Sequence, residues 1–298
     1  MLLVNRFGSN IIPGILITDN IERSKEPPAA RDPSPAVPFC IKTDGNPPSL
    51  DSLDCSVFQS IKKHYYESVN RVIESNDILA LSDIYAQPLR LVFHDAGEVD
   101  LTNPYDFMGS DGCLSDDPGS KGLLETESLV YSLLDPLWQQ YCDSISRADF
   151  WVLIGKFAVE KAALPDGNIK IPYYYGRKDN LGCSAGRGRL PDAQHGFEGR
   201  NGIDEVFVKR MGLTREDAGL IHFHTSYKNY YYSSYIYHFP IVTLSGAHTL
   251  GHVHLQNSGY GVEQNPVWVT VNAWDKSPAK FDNLYFKYLL EFVSKATS

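Results

Sequence analysis

Three side chains stand out as a group that could do chemistry. Arg90 and His94 lie four residues apart in Leu89-Arg90-Leu91-Val92-Phe93-His94-Asp95-Ala96, so on a helix they share one face. A neutral imidazole there can accept and return a proton, and a permanently charged guanidinium beside it can stabilise negative charge as it develops. The third is His248, in Val242-Thr243-Leu244-Ser245-Gly246-Ala247-His248-Thr249-Leu250-Gly251. Its small neighbours Ser245, Gly246 and Ala247 let the backbone approach a flat partner closely, and a neutral imidazole is a good metal ligand.

These residues need a helical frame, and the apolar pattern supplies one. Phe58, Ile61, Tyr65, Val69 and Val72 recur at helical spacing through Glu74. Pro88 suits the start of the helix that carries Arg90 and His94. A polar loop runs from Gly97 to Gly122, and a helix is expected over the leucines between Leu123 and Leu137. Residues 145–163 are apolar nearly all round and so predict a buried central helix. Residues 165–203 are glycine-rich, and Val206 to Met211 begins another helix that ends near Gly212. The fold class expected is all-α. Residues 1–51 read as a loosely ordered arm whose prolines include Pro27, Pro28, Pro33, Pro35, Pro38, Pro47 and Pro48. Residues 219–240, with six tyrosines and no amphipathic period, read as a surface insertion or an intron retained in the gene model.

Composition narrows the partners. A net charge of −9 argues against nucleic acid and allows a basic protein or a neutral small molecule. No apolar run is long enough for a membrane span, and the first residues make too short an apolar run for a signal peptide. The five cysteines have neither CxxC nor zinc spacing; Cys40 and Cys55 could pair, and an odd thiol must remain. The compartment stays undecided.

The two histidine stretches, in this order, resemble the signature motifs of the plant, fungal and bacterial haem peroxidase superfamily, from about Ser56 onward. The resemblance implies haem b held between a distal lobe at about 52–165 and a proximal lobe at about 190–298. It implies hydrogen peroxide as oxidant and one-electron oxidation of a donor, either a reducing small molecule or a basic redox protein. In that scheme His248 ligates the iron, His94 is the distal base, Arg90 stabilises charge during O–O cleavage and Phe93 lies over the haem. Trp274 takes the place of a tryptophan against the proximal histidine, with Trp268 as rival. Pro191 and Ala193, in Gly188-Arg189-Leu190-Pro191-Asp192-Ala193, match the haem-edge segment.

Departures from the family pattern are equally specific. Ser120 stands where an asparagine orients the distal histidine. Asn257 stands where an arginine is associated with ascorbate binding. Asp95, Gly109 and Asp111 match a distal calcium pattern in which Cys113 replaces an expected serine, and Ser115 could substitute. Thr249, Asp275, Ser277 and Asp282 match a second, proximal cation site. The family aspartate that accepts the proximal histidine's N–H is expected beyond Ser298, so the chain reads as C-terminally truncated. Two other readings stay open: an inactive haem-binding relic of a peroxidase, or an acidic calcium-binding module without haem.

Overall fold

The computed structural model describes residues 54–106, 108–125, 127–164, 169–190, 204–213, 246–258, 272–288 and 291. The proline-rich arm and the 219–240 stretch lie outside them. Among the described residues the regular structure is helical. The only β pairing there is two isolated antiparallel bridges, Leu250 with Ala279 and His252 with Ala273. The all-α expectation holds.

Helix α1 spans Cys55–Glu74 and is capped by Asp54, whose carboxylate accepts the Ser56 N–H. Ile61, Tyr65 and Val69 form its buried stripe. Helix α2 spans Ile78–Gly97, capped by Asp77, which accepts from the Leu79 and Ala80 amides. A short helix α3, Asp135–Gln139, comes after a π-helical turn at Val130–Leu134. Helix α4, Arg147–Ala162, is buried on nearly every side, as its sequence predicts. A short helix α5, Leu255–Ser258, comes after the His248 segment.

Two helix boundaries differ from expectation. Pro88 does not start a helix; it sits inside α2. A proline has no N–H to give the carbonyl four residues back, here that of Ile84. The Tyr65 hydroxyl of α1 donates to that carbonyl instead, at 2.6 Å, from a fully buried position. The freed acceptor is satisfied from a neighbouring helix, and α2 continues past its proline.

The second difference is at Leu123–Leu137. Residues 121–125, 127 and 128 form turns, with Leu123 N–H bonded to Ser120 C=O and Ser128 N–H to Glu125 C=O, and helix begins only at Leu129. Gly122 has φ +84°, a left-handed conformation that interrupts a right-handed helix. The Val206–Met211 helix is present as a π-helical turn over Asp204–Arg210, closed by Gly212 at φ +66°.

Helices α2 and α4 pack closely because Gly155 lacks a side chain. A Cβ there would meet Val92 Cγ2 at 2.7 Å and the Pro88 carbonyl at 3.5 Å. The principal core gathers Ile61, Tyr65, Leu91, Leu134, Phe150, Trp151, Leu153 and Phe157 around this contact.

Two substitutions test this frame. Tyr65→Phe strands the Ile84 carbonyl and is expected to cost about 1–3 kcal/mol. Gly155→Ala overpacks the helix pair for a similar loss, about 1–3 kcal/mol. Urea denaturation of each variant against wild type reads both.

Candidate active site

Helix α2 carries Asp83, then Arg90 two turns later, then His94 and Asp95 one turn beyond that. The Arg90 Nε–H donates to His94 Nε2 at 3.3 Å, and Nη2 donates to the Gly119 carbonyl at 2.9 Å. Burial lowers the Arg90 guanidinium to about 10, still charged at neutral pH. His94 is held well below its ordinary value, first by burial, then by the positive charge of Arg90 and by His248. Its imidazole is therefore neutral at physiological pH. Because Nε2 accepts from Arg90, the neutral ring carries its proton on Nδ1. Ser120 Oγ lies 3.5 Å from Nδ1, at the outer limit of a hydrogen bond.

Phe93, next to His94, stacks on Phe207 with ring centroids 6.0 Å apart and joins a small cluster of Val99, Val206, Met211 and Leu213. Leu190 packs against Gly97 at the end of α2, where a Cβ would meet its Cδ2 at 2.8 Å. Pro191, Ala193, Ser245 and Trp268 lie outside the described residues.

His248 sits in a 3₁₀ turn, Gly246–Thr249, and its side chain is exposed. Trp274 lies edge-on to its ring at 4.5 Å, and Tyr285 stacks on it at 5.7 Å. The structure thus brings Trp274 to His248. No motif in the sequence marks Tyr285, although it lies only three residues beyond Asp282. Gly246 admits Phe286 so closely that a Cβ would meet its ring at 2.6 Å. An imidazole presented by a small-residue turn between aromatic rings would suit a ligand of haem iron. The neutral imidazole and guanidinium of α2 are the acid–base and charge-stabilising groups that peroxide chemistry at such a site would need. Asn257 lies at Gly122, where a Cβ would meet its Nδ2 at 2.5 Å and Arg90 Nη1 at 3.4 Å.

Beneath His248, Thr249, Asp275, Ser277 and Asp282 converge. Thr249 Oγ1 lies 2.8 Å from Asp275 Oδ2 and 3.3 Å from Asp282 Oδ1. Ser277 Oγ lies 3.2 Å from Asp275 Oδ1 and 2.9 Å from Asp282 Oδ2. Each carboxylate also accepts a backbone amide, Asp275 Oδ1 from Ser277 at 2.7 Å and Asp282 Oδ1 from Leu284 at 2.8 Å, so the two acids and two hydroxyls form one connected cluster.

On the other side of α2, Asp95 accepts from the Gly112 and Cys113 amides at 3.1–3.2 Å. Asp111 accepts from the Cys113 amide and from Asn180 Nδ2, each at 3.1 Å. Burial raises both carboxyls, and each is raised further by acidic neighbours or held back by those amides. Gly109, at φ +148°, shapes the same loop. Glu98, which no sequence pattern marks, is fully buried and pushed up to about 8 by burial. Its Oε1 accepts from the Ser115 amide and hydroxyl at 2.9 and 2.6 Å.

Two cysteine expectations are corrected, one for Cys113 and one for Cys55. Cys113 pairs with Cys183 in a disulfide, so its sulfur is not an unwanted cation ligand. Cys55 is a free, exposed thiol, which excludes the Cys40–Cys55 pair. The Cys113–Cys183 bridge ties the loop after α2 to the segment after α4, and Arg147 at the start of α4 joins the same loop to α3. Arg147 Nε and Nη2 hold Asp135 at 2.9 and 2.6 Å, while Nη1 donates to the Gly112 carbonyl.

The family model described as "Peroxidase" matches residues 65–226 of this chain. Among similar proteins is cytosolic L-ascorbate peroxidase 2 of Arabidopsis thaliana, 30% identical over 238 residues, covering 78% of this chain and 76% of the relative. Cytosolic L-ascorbate peroxidase 1 of Oryza sativa subsp. indica is 29% identical over 235 residues, covering 77% and 75%. Cytosolic L-ascorbate peroxidase 2 of Oryza sativa subsp. japonica is 32% identical over 206 residues, covering 68% and 63%.

The lowered His94 pKa carries a stability consequence. The unfolded histidine takes up a proton near pH 6.5 while the folded one does not, so stability falls as pH drops below 6.5 toward the folded value. The slope approaches about 1.4 kcal/mol per pH unit for one such group. His252 is shifted in the same direction, so the contribution of His94 is isolated by comparison with His94→Gln. Urea midpoints at pH 7, 6 and 5 are expected to fall less steeply in that variant.

Proposed function

The chain belongs to the peroxidase family of haem enzymes, and from that premise we propose that it reduces hydrogen peroxide through His94 and Arg90, with His248 as iron ligand. Haem b, when bound, supplies the electrons that cleave O–O and regains them singly from a donor. His94 Nε2, neutral and directed toward Arg90, takes the proton of incoming peroxide and returns it to the departing oxygen. Arg90 offsets the negative charge on that oxygen. The observation that carries this reading is the Arg90–His94 pair at 3.3 Å, with the imidazole kept neutral. Trp274, 4.5 Å from His248, is positioned to pass electrons toward it.

The donor we propose is a small reductant such as the ascorbate named in the relatives. Asn257 in place of the arginine associated with its binding argues for a contact different from the usual one. A basic redox protein is the competing donor, compatible with the net charge of −9.

Calcium is proposed at the proximal cluster. The support is a pair of carboxylates and a pair of hydroxyls within 2.8–3.3 Å, all hard oxygen donors. The distal loop is a second candidate, since Asp95, Asp111 and Glu98 bury carboxyl groups together.

Haem-reconstituted protein treated with one equivalent of hydrogen peroxide tests the catalytic reading. A rapid shift of the ferric spectrum is expected, slowed about 10²–10⁴-fold in His94→Ala. Haem that binds without reacting would instead establish the haem-binding relic. Chelation by EGTA is expected to lower the melting temperature, with the effect abolished in Asp275→Asn/Asp282→Asn. A wild-type protein indifferent to chelation and to added calcium overturns the cation proposal.

A further inference from the structure

Asp83, His252 and His254 form a cluster separate from the haem ligand and from both calcium candidates. Asp83 lies near the start of α2, two turns before Arg90. The histidines come after His248 on the strand-like segment that bridges to Ala273. Gly251, at φ +95°, makes this meeting possible. A Cβ there would meet Ala86 Cβ at 2.7 Å, so only glycine lets the segment press onto α2. The Gly251 amide, bonded to the Pro278 carbonyl at 2.8 Å, fixes it in place.

The spacing is that of ligands. His254 Nε2 lies 3.4 Å from Asp83 Oδ1, and His252 Nδ1 lies 3.7 Å from the same oxygen. The ligand atoms of all three lie within 4.8 Å of one another. The 3.7 Å separation is longer than a hydrogen bond. By contrast, ligands about 2.0–2.1 Å from a tetrahedral ion stand roughly 3.3–3.4 Å apart. The imidazole rings tilt at 35° with centroids 4.3 Å apart. Ser82 Oγ, buried on the inner side, is 3.3 Å from His252 Nδ1. His252 is sealed, with 1% of its side chain exposed, while Asp83 and His254 are 28% and 26% exposed. The cluster is thus closed on its inner side, where Ser82 hydrogen-bonds His252, and partly open to solvent at Asp83 and His254.

We propose that Asp83, His252 and His254 bind a divalent transition-metal ion of the zinc or copper class, joining α2 to the segment beyond His248. Two imidazoles and one carboxylate suit such ions and disfavour calcium and magnesium, which require oxygen donors. The ion would hold together the two pieces of backbone that carry Arg90 and His248. The proposal does not depend on peroxidase turnover.

Zinc titration of the full-length, haem-loaded, chelator-treated protein tests it by calorimetry and by melting temperature. One saturable site is expected, and its occupancy raises the melting temperature. Asp83→Asn and His254→Gln each weaken binding about tenfold or more and remove that rise. Both positions are more than a quarter exposed, so neither change opens a core cavity. His254→Cys, which preserves a zinc ligand, retains binding. Zinc binding that is absent in wild type, or equal in wild type, Asp83→Asn and His254→Gln, overturns the site. Competition by millimolar calcium that displaces the zinc also overturns it.

Discussion

The site depends on α2 remaining one continuous helix through Pro88. Arg90 and His94 lie beyond the proline, and Asp77 caps the helix before it. If the chain broke at Pro88, the two halves would turn independently and the arginine–histidine pair would lose its fixed direction. Tyr65 prevents this by donating to the Ile84 carbonyl that the proline leaves without its usual partner. The bond is made by a phenol with no exposed surface, so water cannot replace it. Gly155 then lets α4 press against the same stretch, holding Val92 and Pro88 from the opposite side. One helix supplies the missing hydrogen bond and another supplies the wall.

The loop beyond α2 is held by hydrogen bonds to buried carboxyl groups and by a covalent link. From Gly109 to Ser120 it places its amides on the carboxylates of Asp95, Asp111, Asp117 and Glu98. It is tied to α4 through the Arg147 contact with Gly112, and to the segment after α4 through the Cys113–Cys183 bridge. Asp179 accepts the first two amides of α4, from Arg147 and Ala148, anchoring the helix start to that same segment. The loop matters because it carries Gly119 and Ser120. The Gly119 carbonyl fixes Arg90, and the Ser120 hydroxyl stands beside His94.

Much of this is legible in the sequence, and the rest is hidden for physical reasons. Helices α1 and α4 are legible because a stripe in one case and an all-round apolar surface in the other leave plain signatures. The Arg90–His94 pair is legible because helical spacing dictates its geometry. Pro88 misleads because its compensation comes from Tyr65, which no local pattern links to it. The Leu123–Leu137 stretch misleads because its many leucines outweigh one glycine in composition but not in backbone conformation. The neighbours of Cys113 in sequence suggest a cation loop, whereas its partner Cys183 comes from beyond α4. Glu98 and Tyr285 have ordinary sequence surroundings; only the fold buries one and stacks the other on His248. The Asp83–His252–His254 cluster is invisible for the same reason, since its halves are joined only by the close approach at Gly251.

Ser120, standing where the family pattern leads one to expect an asparagine, changes how the His94 ring is oriented. A neutral imidazole has two tautomers, and proton acceptance from peroxide requires the one with Nε2 bare. An asparagine carbonyl would select it by accepting firmly from Nδ1–H. Ser120 at 3.5 Å can accept only weakly, so most of the selection shifts to Arg90, whose Nε–H donates to Nε2 at 3.3 Å. This arrangement shapes the proposed reaction. When peroxide enters and Nε2 takes its proton, the Arg90–His94 bond must be surrendered, and the guanidinium becomes available to the departing oxygen. The Gly119 carbonyl keeps hold of Nη2 meanwhile, so the arginine pivots rather than swings away. Tautomer selection and charge stabilisation then fall to the same side chain, used in sequence.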